Sequence, residues 1–173
     1  MTDIFSLKVE DIVSKINDAQ LTSVEVCQKY IERINEFEKD VKAWVHLDKK
    51  LLLEKAAEAD EYRRSGKPTG PLHGIPVALK DIIGTVDMPT ECGTPIRKGK
   101  SYSQNAEIVD LLLSAGAIVM GKTATSELAY LGPSKTTNPH DHLRTPGGSS
   151  SGSAASIASF MAPLSIGSQT GGS

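Results

Sequence analysis

The sequence has little of what marks several classes of protein. It contains two cysteines, Cys27 and Cys92, with no CxxC spacing and no clustered histidines beside them. This argues against a disulfide framework and a zinc site, and it is typical of reduced thiols in a cytoplasmic protein. No apolar run approaches the ~20 residues of a membrane-spanning helix, so no membrane partner is expected. The acidic start of the chain does not resemble a signal peptide.

The charges are balanced and carry no signal for a polyanionic partner. Lys and Arg number 19 against 21 Asp and Glu, which gives a net charge of -2 without a long run of one sign. We therefore expect no direct contact with nucleic acid. With 39% apolar and 23% charged residues, a chain of 173 residues is typical of one globular domain with a real core.

Two kinds of site are also missing from the sequence. There is no G-x-S-x-G elbow, which is the main feature of an α/β-hydrolase. The four histidines are His46, His73, His140 and His142, and none lies in a recognisable nucleophile context. A metal pair at His140 and His142 would have only Asp141 as carboxylate support. The sequence therefore predicts neither a metal nor a cofactor.

The first part of the chain has helical periodicity. Thr22 to Glu25 fits a capping box, and apolar residues follow it at helical spacing. A further helix is predicted from about Asp48 to Arg64, ending at a Gly/Pro-rich loop. The residues of that helix predicted to face inward are Leu51, Leu52, Ala56, Ala59 and Tyr62.

After this loop the pattern changes to alternating strands and helices. Helices followed by strand–helix–strand units predict an α/β domain with a helical N-terminal layer. In Ala106 to Ala115 we expect Ile108, Leu111 and Leu112 to face inward and Gly116 to end the helix. The predicted elements are a strand at Ile75–Ile83, a helix at Ala106–Ala115, a strand at Ile118–Met120, a short helix at Ser126–Leu131, a loop at 132–146 and a small-residue helix at Ser153–Met161.

Gly116 to Thr123 matches the phosphate-loop pattern G-x-x-x-x-G-K-T. That motif requires a strand before the glycines and an open loop between them. Here a helix precedes the first glycine, and the intervening residues Ile118–Met120 are predicted to be a strand. A nucleotide-binding module is therefore a weak hypothesis.

Lys80 is a charged residue within an apolar strand, on the same face as Ala78. A lysine in this position can extend to solvent or pair with an acid. If it is desolvated instead, its pKa falls and the neutral amine can act as a base. Lys80 taken alone favours the first interpretation.

Two segments rich in glycine and serine lie near the end of the sequence. Pro146–Ala155 runs directly into a small-residue helix, so it is not a typical linker. Gly167–Ser173 places glycine N–H groups just ahead of a serine, a pattern that can form an oxyanion hole beside a nucleophile.

Together, Leu72–Asp81, Gly121–Thr123, Pro146–Ala155 and Gly167–Ser173 resemble the amidase signature family in order and relative spacing. The resemblance covers nearly the whole chain. It implies an α/β/α sandwich with a mixed central sheet, incomplete here and preceded by N-terminal helices. Residues 1–173 would be the N-terminal part of one amidase domain, with 1–65 as the helical layer and 72–173 as the start of the catalytic core.

The same resemblance implies a Ser–cis-Ser–Lys triad without cofactor or metal. Ser173 aligns with the nucleophile, Ser149 with the bridging cis-serine and Lys80 with the base. Ser150 would support this network through its hydroxyl. The backbone N–H groups of the oxyanion hole would be those of Thr170, Gly171, Gly172 and Ser173.

The function implied is hydrolysis of a small-molecule amide. Ser151 replaces a glycine common in the family, and Gln169 replaces an aspartate associated with the glutaminase component of glutamyl-tRNA(Gln) amidotransferase. Both departures favour a small-molecule amidase. The alternative is the glutaminase component of such a tRNA-dependent amidotransferase, which requires partner subunits. From other classes, an inactive truncated chain or a nucleotide-binding module stays open.

The sequence ends within a glycine-rich turn, which predicts truncation. A terminal carboxylate at Ser173 would oppose the negative charge that develops at an oxyanion hole, so the isolated chain is expected to be inactive or nearly so. The open sheet edges of a cut domain would favour a homo-oligomer or other association.

Overall fold

The computed structural model describes residues 3–172 as a mixed α/β structure. Three single turns of 3-10 helix, at Ile4–Ser6, Pro95–Arg97 and Glu127–Ala129, accompany the longer elements. Within these residues, no helix combines the length and the apolar character that crossing a membrane requires. The longer elements in chain order are α1 (Val9–Asn17), α2 (Ser23–Val41), β1 (Trp44–Leu47), α3 (Lys49–Arg64), β2 (Pro76–Lys80), α4 (Glu107–Ser114), β3 (Ile118–Thr123), α5 (Ser151–Ala158) and β4 (Leu164–Ile166).

The four strands form one mixed sheet in the order β1-β3-β2-β4. β2 runs parallel to both of its neighbours, with Lys80 opposite Thr123 of β3 and Leu79 opposite Ile166 of β4. β1 is antiparallel to β3 and forms one edge. All residues of β2 and β3 are buried, as expected of central parallel strands covered on both faces. The predicted α/β class with a mixed sheet is confirmed.

The N-terminal helices are held by caps that are visible in the sequence. The amide of Glu25 donates to the Thr22 hydroxyl at 3.0 Å, and the Glu25 carboxylate accepts from the Thr22 amide at 2.8 Å, so the predicted capping box is present. Asp60 of α3 is buried, and its carboxylate accepts the first amides of α2, from Ser23 at 2.7 Å and Val24 at 3.2 Å. This contact joins α2 to α3.

Two predictions about helix faces are wrong. In α4, Leu112 faces the core as predicted, but Ile108 and Leu111 are exposed and Val109 is buried instead. The polar residues Glu107, Asp110 and Ser114 share one side of this helix, and the buried residues lie opposite them, whereas Ile108 and Leu111 lie nearer to the margin of the wide apolar face. In α3, Tyr62 is 44% exposed, and its ring covers that of the buried His73 with a centroid separation of 5.9 Å.

Several element boundaries also differ from the prediction. β2 ends at Lys80 rather than Ile83, because the amides of Ile82 and Ile83 turn back to the Lys80 carbonyl at 2.8 and 2.9 Å. The predicted helix at 126–131 is a single turn in which Leu128 and Ala129 have positive φ. α5 begins at Ser151, two residues before the predicted start.

Gly152 of α5 is expected to tolerate no side chain. A Cβ there would lie 2.3 Å from both the amide nitrogen of Ala124 and the carbonyl oxygen of Ala43. Glycine-to-alanine changes inside helices usually stabilise by up to ~1 kcal/mol. Here we expect Gly152→Ala to destabilise the protein by roughly 3 kcal/mol, because backbone on both sides would have to move.

The measurement is urea unfolding of the protein expressed from its complete reading frame. Gly66→Ala is the matched control, since no heavy atom lies within 4 Å of a Cβ at Gly66 and only its φ of +73° opposes the change. Equal stability of the Gly152→Ala protein and wild type would contradict the close approach of α5 to Ala43, just before β1, and to Ala124, just after β3.

Candidate functional site

Lys80 is a fully buried lysine at the carboxyl end of the central strand β2. Its ammonium nitrogen Nζ lies 2.5 Å from the Ser149 hydroxyl and 2.8 Å from the Ser168 hydroxyl. Both partners are neutral, so neither compensates the positive charge of an ammonium group. Burial lowers the pKa of Lys80 below its ordinary value of 10.5. The local structure therefore favours the neutral amine more than solvent does.

Ser149 lies just before α5, where the backbone is held close to the turn at Ser126. The Gly148–Ser149 peptide bond is cis. The Ser149 carbonyl accepts the amide of Ser126 at 3.1 Å. A Cβ at Gly148 would lie 2.7 Å from the Ser126 hydroxyl, and Gly147 has a φ of +87°. The glycines of Pro146–Ala155 thus permit a backbone path that brings Ser149 to Lys80.

Ser168 is a neighbour of Lys80 that the sequence analysis missed. Its backbone is fixed by Ser150, whose hydroxyl donates to the Ser168 carbonyl at 3.1 Å and accepts the Ser168 amide at 3.2 Å. The Ser150 hydroxyl is therefore linked to Lys80 through Ser168. The sequence did contain a signal for Ser168, because it lies two residues after β4 and parallel neighbouring strands present their carboxyl ends at one edge of the sheet.

The glycine-rich segment after Ser168 lines a cavity beside Ser149. Thr170, Gly171 and Gly172 form one side of this cavity, which has a volume of about 730 Å³. Ser173, the predicted nucleophile, lies outside the residues that the structure describes. The other lining residues are Ser126, Ala129, Tyr130, Leu131, Gly132, Pro133, Thr145, Gly147 and Gly148.

The segment that matches the phosphate-loop pattern is a buried strand. Residues Ile118 to Thr123 form β3, and Lys122 is fully buried. Its amine donates to the Ile83 carbonyl and to the Thr90 hydroxyl, both at 2.6 Å. The backbone needed to cradle a phosphate is paired in the sheet, as the sequence predicts.

Histidines take no part in this site. His73 is buried, and its Nε2 lies 3.0 Å from the Ala59 carbonyl, away from Lys80 and Ser149. Across residues 3–172, histidine, cysteine and carboxylate side chains form no group of three that could hold a metal ion. The fold and site define an α/β protein that pairs a buried lysine with serine hydroxyls.

Comparison with known proteins shows the family. A family profile described as Amidase matches residues 25–173, and the chain belongs to this family. It is 39% identical over 181 aligned residues to the A subunit of the glutamyl-tRNA(Gln) amidotransferase of Streptomyces coelicolor, covering 100% of this chain and 36% of that subunit. The predicted resemblance is thus confirmed.

Solved structures of amidases have the same fold. The peptide amidase of Stenotrophomonas maltophilia superposes with a TM-score of 0.85 at 36% identity, over 91% of this chain and 35% of that one. A fatty acid amide hydrolase superposes with a TM-score of 0.91 at 28% identity, over 98% of this chain and 31% of that one. The chain therefore spans about a third of the length of these relatives.

The buried amine of Lys122 is expected to make stability depend on pH. Burial lowers its pKa from 10.5 to about 8, although Asp81, Asp87 and Cys92 act in the opposite direction. Between these two pH values the unfolded chain binds more protons than the folded protein, so stability rises with pH. Relative to Lys122→Met, we expect wild type to gain up to about 3 kcal/mol across this window.

Unfolding by urea at about pH 8 and about pH 10 measures this gain. Cys92 is replaced by serine in both proteins, because burial raises the pKa of its thiol and its titration would have the opposite sign. A difference between the two proteins that stays constant with pH would show that Lys122 is not desolvated in the folded state.

Proposed function

We propose that this chain provides the catalytic lysine and serines of an amidohydrolase that cleaves a carboxamide C–N bond through a serine acyl-enzyme. The observation that carries the proposal is the buried Lys80 amine, 2.5 Å from the Ser149 hydroxyl, at the edge of a cavity lined by Thr170, Gly171 and Gly172. Ser173, next in the chain, is the proposed nucleophile. Membership of the Amidase family supports this assignment.

In the proposed mechanism a proton moves along a chain of two serines and one lysine. The Ser173 hydroxyl gives its proton to the Ser149 oxygen as it attacks the amide carbonyl carbon, and Ser149 passes its own proton to the neutral Lys80 amine. The resulting ammonium returns a proton through Ser149 to the leaving nitrogen, and the C–N bond breaks. Water then hydrolyses the ester by the same relay. The 2.5 Å contact between Lys80 and Ser149 suits direct proton transfer.

The negative charge that develops on the carbonyl oxygen requires hydrogen-bond donors. We assign this role to the backbone N–H groups of Thr170, Gly171, Gly172 and Ser173. Support comes from the position of residues 170–172 on the wall of the same cavity as Ser149. Donors fixed by the backbone need no reorganisation during the reaction, which makes them effective in this role.

We further propose that residues 1–65 and 72–173 are the helical layer and the first part of the catalytic core of a single amidase domain. Support comes from β1, which joins the sheet of the second segment by pairing with β3. A cluster of buried apolar residues runs through both segments. The proposed substrate is a small-molecule amide, and a homo-oligomer is the proposed assembly.

The second candidate function is release of ammonia from glutamine within a tRNA-dependent amidotransferase. The similarity to the amidotransferase A subunits of Streptomyces coelicolor and Rhodococcus erythropolis favours it, at 39% and 40% identity. Gln169, which is exposed beside the proposed oxyanion segment, departs from the aspartate associated with the glutaminase component. This candidate implies amidotransferase partner subunits.

One assay separates the two candidates. Ammonia release is measured from hexanamide and from L-glutamine with the protein expressed from its complete reading frame, alone and with amidotransferase partner subunits. Hydrolysis of hexanamide without partners supports the amidase. Glutamine turnover that appears only with partners supports the glutaminase. Ammonia release from neither substrate, under either condition, argues against both.

The two adjacent serines are expected to differ strongly in their effect on turnover. Ser149→Ala removes the group that bridges Lys80 and Ser173, so we expect kcat to fall about 10³-fold. Ser150→Ala removes only the contacts that hold the Ser168 backbone, so we expect a loss of about tenfold. Steady-state kinetics of both variants measures the two decreases in kcat. Equal decreases would contradict the assignment of Ser149 as the residue that bridges Lys80 and Ser173.

A further inference from the structure

Lys122 is a second buried lysine near the site, and the proposed mechanism does not use it. It lies on β3 opposite Leu79 of β2, and the next residue of each strand forms the Lys80–Thr123 pair. Side chains alternate along a strand, so Lys122 and Lys80 project to opposite faces of the sheet. Lys122 there binds the Ile83 carbonyl and the Thr90 hydroxyl. Its amine therefore holds the segment that follows β2 against the sheet at two residues, Ile83 and Thr90.

Asp81 holds the next part of the same segment. Its carboxylate is buried and accepts the amides of Glu91 at 3.1 Å and Gly93 at 3.4 Å, while its carbonyl accepts the amide of Cys92 at 2.9 Å. At Gly93 the φ is +65°, and a Cβ would lie 2.8 Å from the Thr125 carbonyl oxygen. Residues 90–93 are thus held by Lys122 of β3 and by Asp81, which follows β2. They also lie in close contact with the chain that follows β3.

From residues 90–93 a short series of hydrogen bonds leads to the candidate site. The Cys92 carbonyl accepts the amide of Leu128 at 2.8 Å. Leu128 belongs to the turn that begins at Ser126, and the Ser126 amide donates to the Ser149 carbonyl at 3.1 Å. Leu128 has a φ of +51° within this turn, a backbone conformation that surrounding contacts must maintain.

We propose that Lys122 and Asp81 are positioning residues, which hold segment 90–93 so that the turn 126–129 places Ser149 against Lys80. The catalytic part of this proposal rests on the proposed function. Lys122 acts from the far face of the sheet and touches none of the reacting groups. Because Ser149 transfers protons over short distances, a displacement of about 1 Å in its backbone lowers the rate up to about 100-fold.

Hydrogen exchange tests the physical support without reference to catalysis. In Lys122→Met, prepared from the complete reading frame, we expect the amides of Ser126 and Leu128 to exchange at least about tenfold faster than in wild type. Amides of α2 should keep their wild-type rates. Lys50→Met is the matched control, since the Lys50 side chain is 89% exposed. If Lys122→Met does not fold, Thr90→Val removes one of the two hydrogen bonds of Lys122, the one to segment 90–93, and keeps the side-chain shape.

An alkyl fluorophosphonate, which phosphonylates an activated serine with loss of fluoride, tests the consequence for catalysis. The final extent of labelling measures the fraction of protein molecules with a correctly folded site. The rate constant of labelling measures how strongly the nucleophile is activated. We expect Lys122→Met to reach the wild-type extent with a rate constant about 10- to 100-fold lower. A purely structural role would lower the extent and leave the rate constant of the remaining sites unchanged.

The outcomes separate this proposal from the proposed function. Unchanged hydrogen exchange at the amides of residues 126 and 128 overturns the proposal that Lys122 supports the turn 126–129, whatever the labelling shows. Faster exchange with an unchanged labelling rate overturns the proposal that positioning by Lys122 affects the rate of reaction. Absence of labelling in wild type, or equal labelling of Ser173→Ala, overturns the proposed function and with it the catalytic half of this proposal.

Discussion

Replacing Ser173 with alanine, in the protein expressed from its complete reading frame, is expected to lower amide hydrolysis by at least about 10⁴-fold. The side chain that remains cannot form an acyl-enzyme, and water would have to attack the amide directly. Residual turnover above the uncatalysed rate would come from the oxyanion donors and from substrate binding. The measurement is kcat for the preferred amide, with mass spectrometry of the protein after labelling by the fluorophosphonate.

The control for this experiment is Ser101→Ala, since Ser101 is exposed and distant in sequence from the proposed site. Wild type and Ser101→Ala should gain the mass of the phosphonyl group, and Ser173→Ala should not. Retention of more than a tenth of wild-type kcat by Ser173→Ala would mean that another residue is the nucleophile. Ser149 and Ser168, the two hydroxyls that contact Lys80, would then be examined first.

Replacing Lys80 with methionine is expected to lower kcat by about 10³- to 10⁴-fold. Methionine has nearly the same length and fills the buried space, so the fold should survive while the base is lost. The proposed nucleophile is unchanged in this variant, and slow phosphonylation of Ser173 is still expected. Kinetics and circular dichroism together distinguish loss of the base from loss of structure. Lys50→Met again controls for removal of a lysine charge, and it should retain wild-type kcat.

The pH dependence of wild type gives an independent test of Lys80. Only the neutral amine can accept a proton, so kcat/KM should rise with pH through the pKa of Lys80. Burial lowers that pKa, so the rise should be centred below the ordinary lysine value of 10.5. This rise of kcat/KM with pH should be absent from the residual activity of Lys80→Met. A profile that falls as pH rises through this range would indicate that the protonated form is the active one.

The fold class and the candidate site differ in how far local sequence could predict them. The capping box at Thr22–Glu25, the central strand around Lys80 and the strand at Ile118–Met120 were all predicted from short-range patterns. Periodicity failed at α4, where Ile108 and Leu111 are exposed. The apolar face of this eight-residue helix is wider than the part that the core covers, so apolar residues at its margins stay exposed.

The sequence by itself determined the place of Lys80 within an apolar strand, the two glycine–serine segments and their order along the chain, whereas it favoured a solvent-exposed or acid-paired Lys80 over the buried one that the structure shows. These depend on backbone freedom and burial, which act over a few residues. Only the tertiary structure placed Ser168 next to Lys80, through the pairing of β4 with β2. It likewise turned Lys122, the lysine of a phosphate-loop pattern, toward Thr90 on the opposite face. The physical reason is that strand order and side-chain facing arise from contacts between residues far apart in sequence, and no local pattern encodes them.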